Sequence, residues 1–209
     1  MKGKNIKNES FPSIEVIDLF CGIGGLSFGM KSKGFNILAG YDLDATCRYA
    51  YETNNNAKFI YKDIKTVSPD EIRTAYGKGS IRVLAGCAPC QPFSSYAFKN
   101  KKKDPNKYDL LYEFGRLVKA VHPDIVTMEN VAQILSFKEK PVLSDFENLL
   151  KNEGYHVWVN PVYCPDYGIP QTRKRLVLLA SRLGNIELIN PTHKPNEYKT
   201  VKRSEIYPN

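Results

Sequence analysis

The chain has 209 residues, 42% of them hydrophobic, and 30 Lys and Arg against 22 Asp and Glu give it a net charge of +8. That length suits one domain with a full core; no run approaches the ~20 apolar residues that cross a bilayer, and no apolar signal-peptide run follows the basic start Met1 to Lys7, so a cytoplasmic, non-membrane protein is expected. The excess of positive charge favours a polyanionic partner.

Residues 1–12 read as a loosely attached arm. Residues 14–20 (Ile-Glu-Val-Ile-Asp-Leu-Phe) read as a strand and 26–33 as a helix closed by Gly34. A second strand is expected over 35–40, a helix over about 44–54, and a short third strand over 58–61. Ser68-Pro69-Asp70-Glu71 marks a helix start, with a Ser cap and Pro in the first turn. Residues 81–85 form the fourth strand, and a lysine-rich loop follows over about 92–107. A helix over 109–121 places Leu110, Leu111, Phe114, Leu117 and Val118 on one face. Residues 125–128 give a fifth strand, 142–153 a helix capped by Gly154, and 157–162 and 176–181 later strands. Strands alternating with helices predict an α/β fold: a doubly wound, mostly parallel, Rossmann-like sheet with helices on both faces.

Five cysteines (Cys21, Cys47, Cys87, Cys90 and Cys164) fit no disulfide framework and read as thiols. Cys87 and Cys90 form a CxxC with no second ligand pair, and His122, His156 and His193 stand apart, so no metal is expected. Cys90 lies between Pro89 and Pro92, directly after the fourth strand. Proline fixes φ and removes a donor, so this loop is stiff and cannot extend the sheet. Open α/β sheets place their ligand crevice at this edge, which suits a nucleophile.

The first strand runs into Phe20-Cys21-Gly22-Ile23-Gly24-Gly25, a turn that lets backbone approach a ligand at a helix N-terminus. Asp42 follows Gly22 by 20 residues, where a carboxylate can accept from ribose hydroxyls. Asp63 and Ile64 close the third strand, where an acid can meet an adenine amino group. Asp18 is expected at the edge of the first turn, near a charged group of the ligand. Glu129, after Ile125-Val126, is expected in a partly desolvated place suited to carrying a proton. Gln171, Arg173 and Arg175 alternate into a strand and share a face, so two guanidiniums can hold a phosphate or a base carbonyl.

Four segments together resemble the C5-cytosine DNA methyltransferase family: Asp18-Leu19-Phe20-Cys21-Gly22-Ile23-Gly24-Gly25, Ala88-Pro89-Cys90-Gln91-Pro92-Phe93-Ser94, Glu129-Asn130-Val131 and Gln171-Thr172-Arg173-Lys174-Arg175, with Asp166-Tyr167-Gly168-Ile169-Pro170 just before the last. The resemblance implies S-adenosylmethionine as cofactor and cytosine C5 in double-stranded DNA as target, reached by base flipping, in a restriction–modification setting. It implies Cys90 as the nucleophile at C6, Glu129 as its acidic partner, and Arg173 and Arg175 as anchors. For the cofactor it implies Asp18, Phe20 on the adenine, the turn Gly22, Gly24 and Gly25, Asp42 on the ribose, Asp63, Leu43 and Ile64 flanking the ring, and Leu110 as a further contact. Asn130 is architectural, and residues 94–107 correspond to a loop that closes over DNA.

Residues 13–182 are then the catalytic, cofactor-binding domain, and 183–209 a linker toward a target-recognition region that this sequence does not contain. A split or truncated enzyme, with a second polypeptide supplying recognition, is the favoured expectation. A non-catalytic cofactor- or nucleic-acid-binding module on the same fold, and an RNA cytosine methyltransferase, stand as alternatives.

Overall fold

A computed structural model describes residues 12–89, 109–136 and 141–197. Seven strands form one sheet: β1 (Ile14–Leu19), β2 (Asn36–Asp42), β3 (Lys58–Tyr61), β4 (Ile81–Gly86), β5 (Ile125–Val131), β6 (His156–Tyr163) and β7 (Lys174–Ser181). Their spatial order is β3-β2-β1-β4-β5-β7-β6. The first five strands pair in parallel, whereas β7 runs antiparallel to both β5 and β6. The chain winds outward from β1 to β3, then returns to lay β4 on the other side of β1. The C-terminal ends of β1 and β4 therefore flank the switch point, where an open α/β sheet leaves a crevice.

Among the described residues five helices cover the sheet: α1 (Gly25–Lys31), α2 (Arg48–Asn55), α3 (Pro69–Ala75), α4 (Asp109–Val121) and α5 (Val142–Asn152). Alternation along the strands splits their side chains between two faces. Val16, Val83 and Ala85 belong to a cluster with Cys47 and Tyr51, on the face of α1 and α2. Ile17, Leu19 and Leu84 belong to another with Ile72, Phe114 and Leu150, on the face of α3, α4 and α5. Leu111, Phe114, Leu117 and Val118 recur at helical spacing and are all buried, so α4 docks by that stripe. Phe114 meets Phe146 of α5 with ring centroids 5.2 Å apart.

The end of the sheet away from the crevice is tied by charge. Asp124, just before β5, accepts from the Arg82 backbone amide at 2.9 Å and from Arg82 Nε at 3.1 Å. Its other oxygen accepts from Arg182 Nη2 at 3.0 Å. One carboxylate thereby joins the ends of β4, β5 and β7.

Three details differ from the sequence expectation. The second strand continues to Asp42, because β3 pairs with it through that residue. The helix expected from 44 opens as a 3₁₀ turn (Ala45–Cys47), because Asp44 Oδ1 accepts from the Thr46 amide at 3.0 Å and caps it. The strand at 174–181 is reversed, since hydrophobic patterning carries no information about direction. Among the described residues no helix is long and apolar enough to cross a membrane.

Candidate active site

Phe20, the first residue after β1, takes a positive φ of 58°, and Gly22 and Gly24 follow at 49° and 87°. This run of left-handed conformations folds the chain tightly, and glycine supplies it at little steric cost. The turn is held from β2: Cys21 donates to the Tyr41 carbonyl at 3.1 Å, and Gly24 to the Cys21 carbonyl at 2.9 Å. Asp42 Oδ2 accepts from the Gly22 amide at 2.8 Å, and its Oδ1 from the Asp44 amide at 2.9 Å. Each oxygen keeps a further lone pair for a ligand hydroxyl. Leu43, next in the chain, is 55% exposed. Phe20, Gly22, Gly24, Gly25, Asp42 and Leu43 are thus collected at the ends of β1 and β2.

At the third strand end one residue, Ile64, departs from expectation. Asp63 caps the following turn, its Oδ1 accepting from the Lys65 amide at 2.9 Å. Ile64, expected to flank a ligand ring, is 4% exposed and sits in the core cluster. Phe20 and Leu110 are half-buried against that same cluster. Arg116 of α4 locks the turn, its Nη2 donating to the carbonyls of Ile64 and Val67 at 3.1 Å each.

Asp18 is not at the edge of the turn but beneath it, 1% exposed. Its Oδ2 accepts from Ser27 Oγ of α1 at 2.6 Å, and among the described residues Oδ1 has no partner. Burial, opposed by the Ser27 hydrogen bond and reinforced by the nearby Asp42 charge, pushes its carboxyl up to about 6. An unpartnered buried carboxylate oxygen beside a second carboxylate suits a cationic ligand group.

A second constellation lies where β5 meets β7. Register sets Val131 opposite Arg175 and Glu129 opposite Val177. Glu129 Oε1 receives Arg175 Nε at 2.9 Å and Arg173 Nη2 at 3.4 Å. Both guanidiniums converge on one oxygen, in keeping with 173 and 175 sharing a face. The Glu129 side chain is 32% exposed, partly desolvated as expected, and it also faces two cations that the sequence reading did not place there. Ala132, Gln133 and residues 171–175 line an open groove of about 400 Å³ beside this cluster.

Asn130, adjacent in sequence, points the other way and is 3% exposed. Its Nδ2 donates to the Ala88 carbonyl at 3.4 Å, and its Oδ1 accepts from the Val131 amide at 2.8 Å. It joins the end of β5 to the segment that leaves β4. Cys87 in that segment donates its amide to the Leu19 carbonyl at 3.2 Å, tying it to β1. Cys90 and the lysine-rich segment after it lie outside the described residues. Among the described residues no group of His, Cys, Asp or Glu is arranged to hold a metal ion.

Ser27, Tyr51, Asn55 and Arg116 were not singled out in the sequence. Tyr51 and Asn55 are spaced i, i+4, which marks one helix face, but that spacing does not distinguish a core pair from a site.

A mostly parallel sheet with one reversed strand, a glycine turn after β1 and an acid closing β2 define a class I, Rossmann-like methyltransferase fold. The chain belongs to the C-5 cytosine-specific DNA methylase family, whose sequence profile matches residues 14–207. It is 48% identical over 187 residues to the Type II methylase M.HgiDII of Herpetosiphon aurantiacus, covering 90% of this chain and 52% of that protein. It is 32% identical over 200 residues to the Type II methyltransferase M.DdeI of Desulfomicrobium norvegicum, covering 91% and 47%. The Entamoeba histolytica methyltransferase EhMeth shares the fold with a TM-score of 0.69 at 23% identity, over 88% of this chain and 58% of that one. The chain spans about half the length of the curated relatives it matches.

Proposed function

We propose that this chain is the catalytic and cofactor-binding part of a DNA cytosine-C5 methyltransferase of restriction–modification type. The observation that carries the reading is the pairing of Glu129 with Arg173 and Arg175 beside Asn130, whose amide reaches the segment leading into Cys90.

The residues present fit S-adenosylmethionine. Its cationic end suits the unpartnered Asp18 oxygen and the neighbouring Asp42 charge, and its ribose suits Asp42 at the end of β2. Phe20, Leu43 and Leu110 offer apolar surface for the adenine, and Asp63 a polar edge. The glycine turn brings bare backbone to the ligand. When bound, S-adenosylmethionine supplies the electrophilic methyl for C5.

Cys90, as thiolate, forms a bond to C6 of an extruded cytosine, which pushes electron density to C5. Glu129 in its protonated form donates to N3 while its other oxygen accepts from the exocyclic amine, which absorbs the charge that develops on the ring. Arg175 donates to the base carbonyl, and Arg173 holds a phosphate or the Cys90 loop. Once C5 loses its proton to a base, the C6–sulfur bond breaks and the thiolate returns. The lysines of residues 99–103 meet DNA phosphates.

Residues 183–209 lead toward a target-recognition region carried on a second polypeptide or on further chain. The test is transfer of labelled methyl from S-adenosylmethionine to duplex DNA by this chain with that region supplied. Digestion yielding labelled 5-methylcytosine supports the proposal, and label in any other nucleoside opposes it.

A further inference from the structure

Beneath the glycine turn lies a buried polar cluster that the proposed chemistry does not use. Ser27 of α1, and Tyr51 and Asn55 of α2, are 0%, 0% and 2% exposed. Ser27 Oγ donates to Asp18 and lies 3.1 Å from the Tyr51 hydroxyl. Since the serine proton goes to the carboxylate, the tyrosine is the donor in that second bond. Asn55 Nδ2 donates to the Gly24 carbonyl at 3.4 Å and to the Tyr51 carbonyl at 3.0 Å. Among the described residues its Oδ1 has no partner.

The backbone is shaped around these two side chains. A methyl group on Gly24 would overlap Asn55 Nδ2 and the Tyr51 ring, and one on Gly40 would overlap the Tyr51 ring and hydroxyl. Gly24 is at φ 87°, so the space and the torsion both require glycine there. Ordinary helix packing would place an apolar residue at such positions. Burying a phenol and an amide costs free energy unless they are bonded, and here their bonds run to the cofactor turn and its acid.

We propose that Tyr51 and Asn55 are positioning residues for cofactor binding: Tyr51 acts through Ser27 on the Asp18 carboxylate, and Asn55 holds the Gly24 carbonyl and with it the turn. This rests on the cofactor reading above. The titratable groups that interact with Asp18 are Asp42 at the end of β2, Cys21 in the turn and Tyr51 on α2. The charge acting on Asp18 is of like sign, from Asp42. What favours the ionised acid before a ligand arrives is Ser27, through its hydroxyl, which the Tyr51 hydroxyl holds in turn, and through its backbone amide.

The test uses Tyr51→Phe, which keeps the ring beside Gly40 and removes only the hydroxyl, with Ser27→Ala as a second variant and Tyr49→Phe, on the exposed side of α2, as control. The Asp18 carboxyl is titrated by NMR in the ligand-free chain, amide exchange is read at Gly22 to Gly25, and S-adenosylmethionine binding is measured calorimetrically. Tyr51→Phe is expected to raise the Asp18 midpoint and to weaken binding about three- to tenfold, the loss of one hydrogen bond. Ser27→Ala raises the midpoint further, Asn55→Ala speeds exchange at Gly24 and Gly25, and Tyr49→Phe changes nothing. An Asp18 midpoint unmoved in both Tyr51→Phe and Ser27→Ala, with exchange unmoved in Asn55→Ala, overturns the proposal. A wild-type chain that binds no S-adenosylmethionine while the midpoint still moves removes the cofactor reading and leaves the relay from Tyr51 to Asp18 standing.

Discussion

The Asp42 carboxylate accepts the Gly22 amide at 2.8 Å across 20 residues of sequence, so the acid that ends β2 also fixes the turn that ends β1. One side chain thereby sets the backbone of the proposed cofactor cradle and lines it. Asp42→Ala removes the acceptor for the Gly22 and Asp44 amides together. It is expected to weaken S-adenosylmethionine binding more than tenfold by calorimetry. Two amides left without their protein partner also lower stability by about 1–3 kcal/mol in urea denaturation.

In the proposed cofactor site, Asp18 is expected to make binding depend on pH. Its carboxyl sits at about 6, against 3.8 when free in the chain, chiefly because it is buried. In the free protein this raised value adds stability below 3.8, and that stability is lost as pH rises from 3.8 to about 6, a cost of roughly 3 kcal/mol. A cationic ligand needs the ionised acid, so affinity should fall as pH drops through about 6. Asp18→Asn is expected to stabilise the ligand-free chain at pH 8 while weakening binding and flattening its pH profile. Calorimetry between about pH 5 and 8 reads both.

At the far end of the sheet the sign is opposite. Burial raises the Asp124 carboxyl, but hydrogen bonds from Arg82 and the charges of Arg82 and Arg182 outweigh it and hold the group below 3.8. Its contribution is present above 3.8 and is lost as pH falls through the lower folded value. Asp124→Asn leaves two guanidiniums underpaired, and a cost of about 2–3 kcal/mol is expected in thermal or urea unfolding at pH 7. Cofactor affinity should not change.

Glu129→Gln separates chemistry from folding. The ion pairs it breaks are partly exposed, so stability should change by less than about 1 kcal/mol. Methyl transfer, in the presence of the recognition region, should fall at least a hundredfold, by about 3 kcal/mol of transition-state stabilisation. Cofactor binding should match the wild type.

Asn130→Ala cuts the link between β5 and Ala88 and leaves the Val131 amide without its side-chain acceptor. A loss of about 1–3 kcal/mol in stability is expected, together with slower transfer at saturating cofactor. Binding of the cofactor should be unchanged.

The sheet was largely legible because β1, β4 and β5 are short, mostly apolar runs bounded by turn residues and α4 carries a helical stripe. The reversed direction of β7 was not, because alternation reads the same both ways. Asp42 was legible from its distance to Gly22. Asp18 was misjudged: its burial comes from Ser27 and Tyr51, which arrive from two different helices. Glu129 was legible as an acid at a strand end, but its partner Arg173 lies 44 residues on, so its charged surroundings were hidden. Ile64 illustrates the same limit, since a residue after a strand can face a ligand or the core, and only the packing of α4 decides which.

The role of Cys90 can be tested by covalent capture. The chain, with the target-recognition region supplied and S-adenosylmethionine present, is mixed with duplex DNA carrying 5-fluorocytosine at the target, where the C5 fluorine cannot leave as a proton. The account predicts a denaturation-resistant protein–DNA adduct whose mass includes one added methyl, formed by wild type and absent in Cys90→Ser. An adduct that persists in Cys90→Ser, or labelled 5-methylcytosine produced on ordinary DNA without any adduct on the fluorinated one, would contradict it.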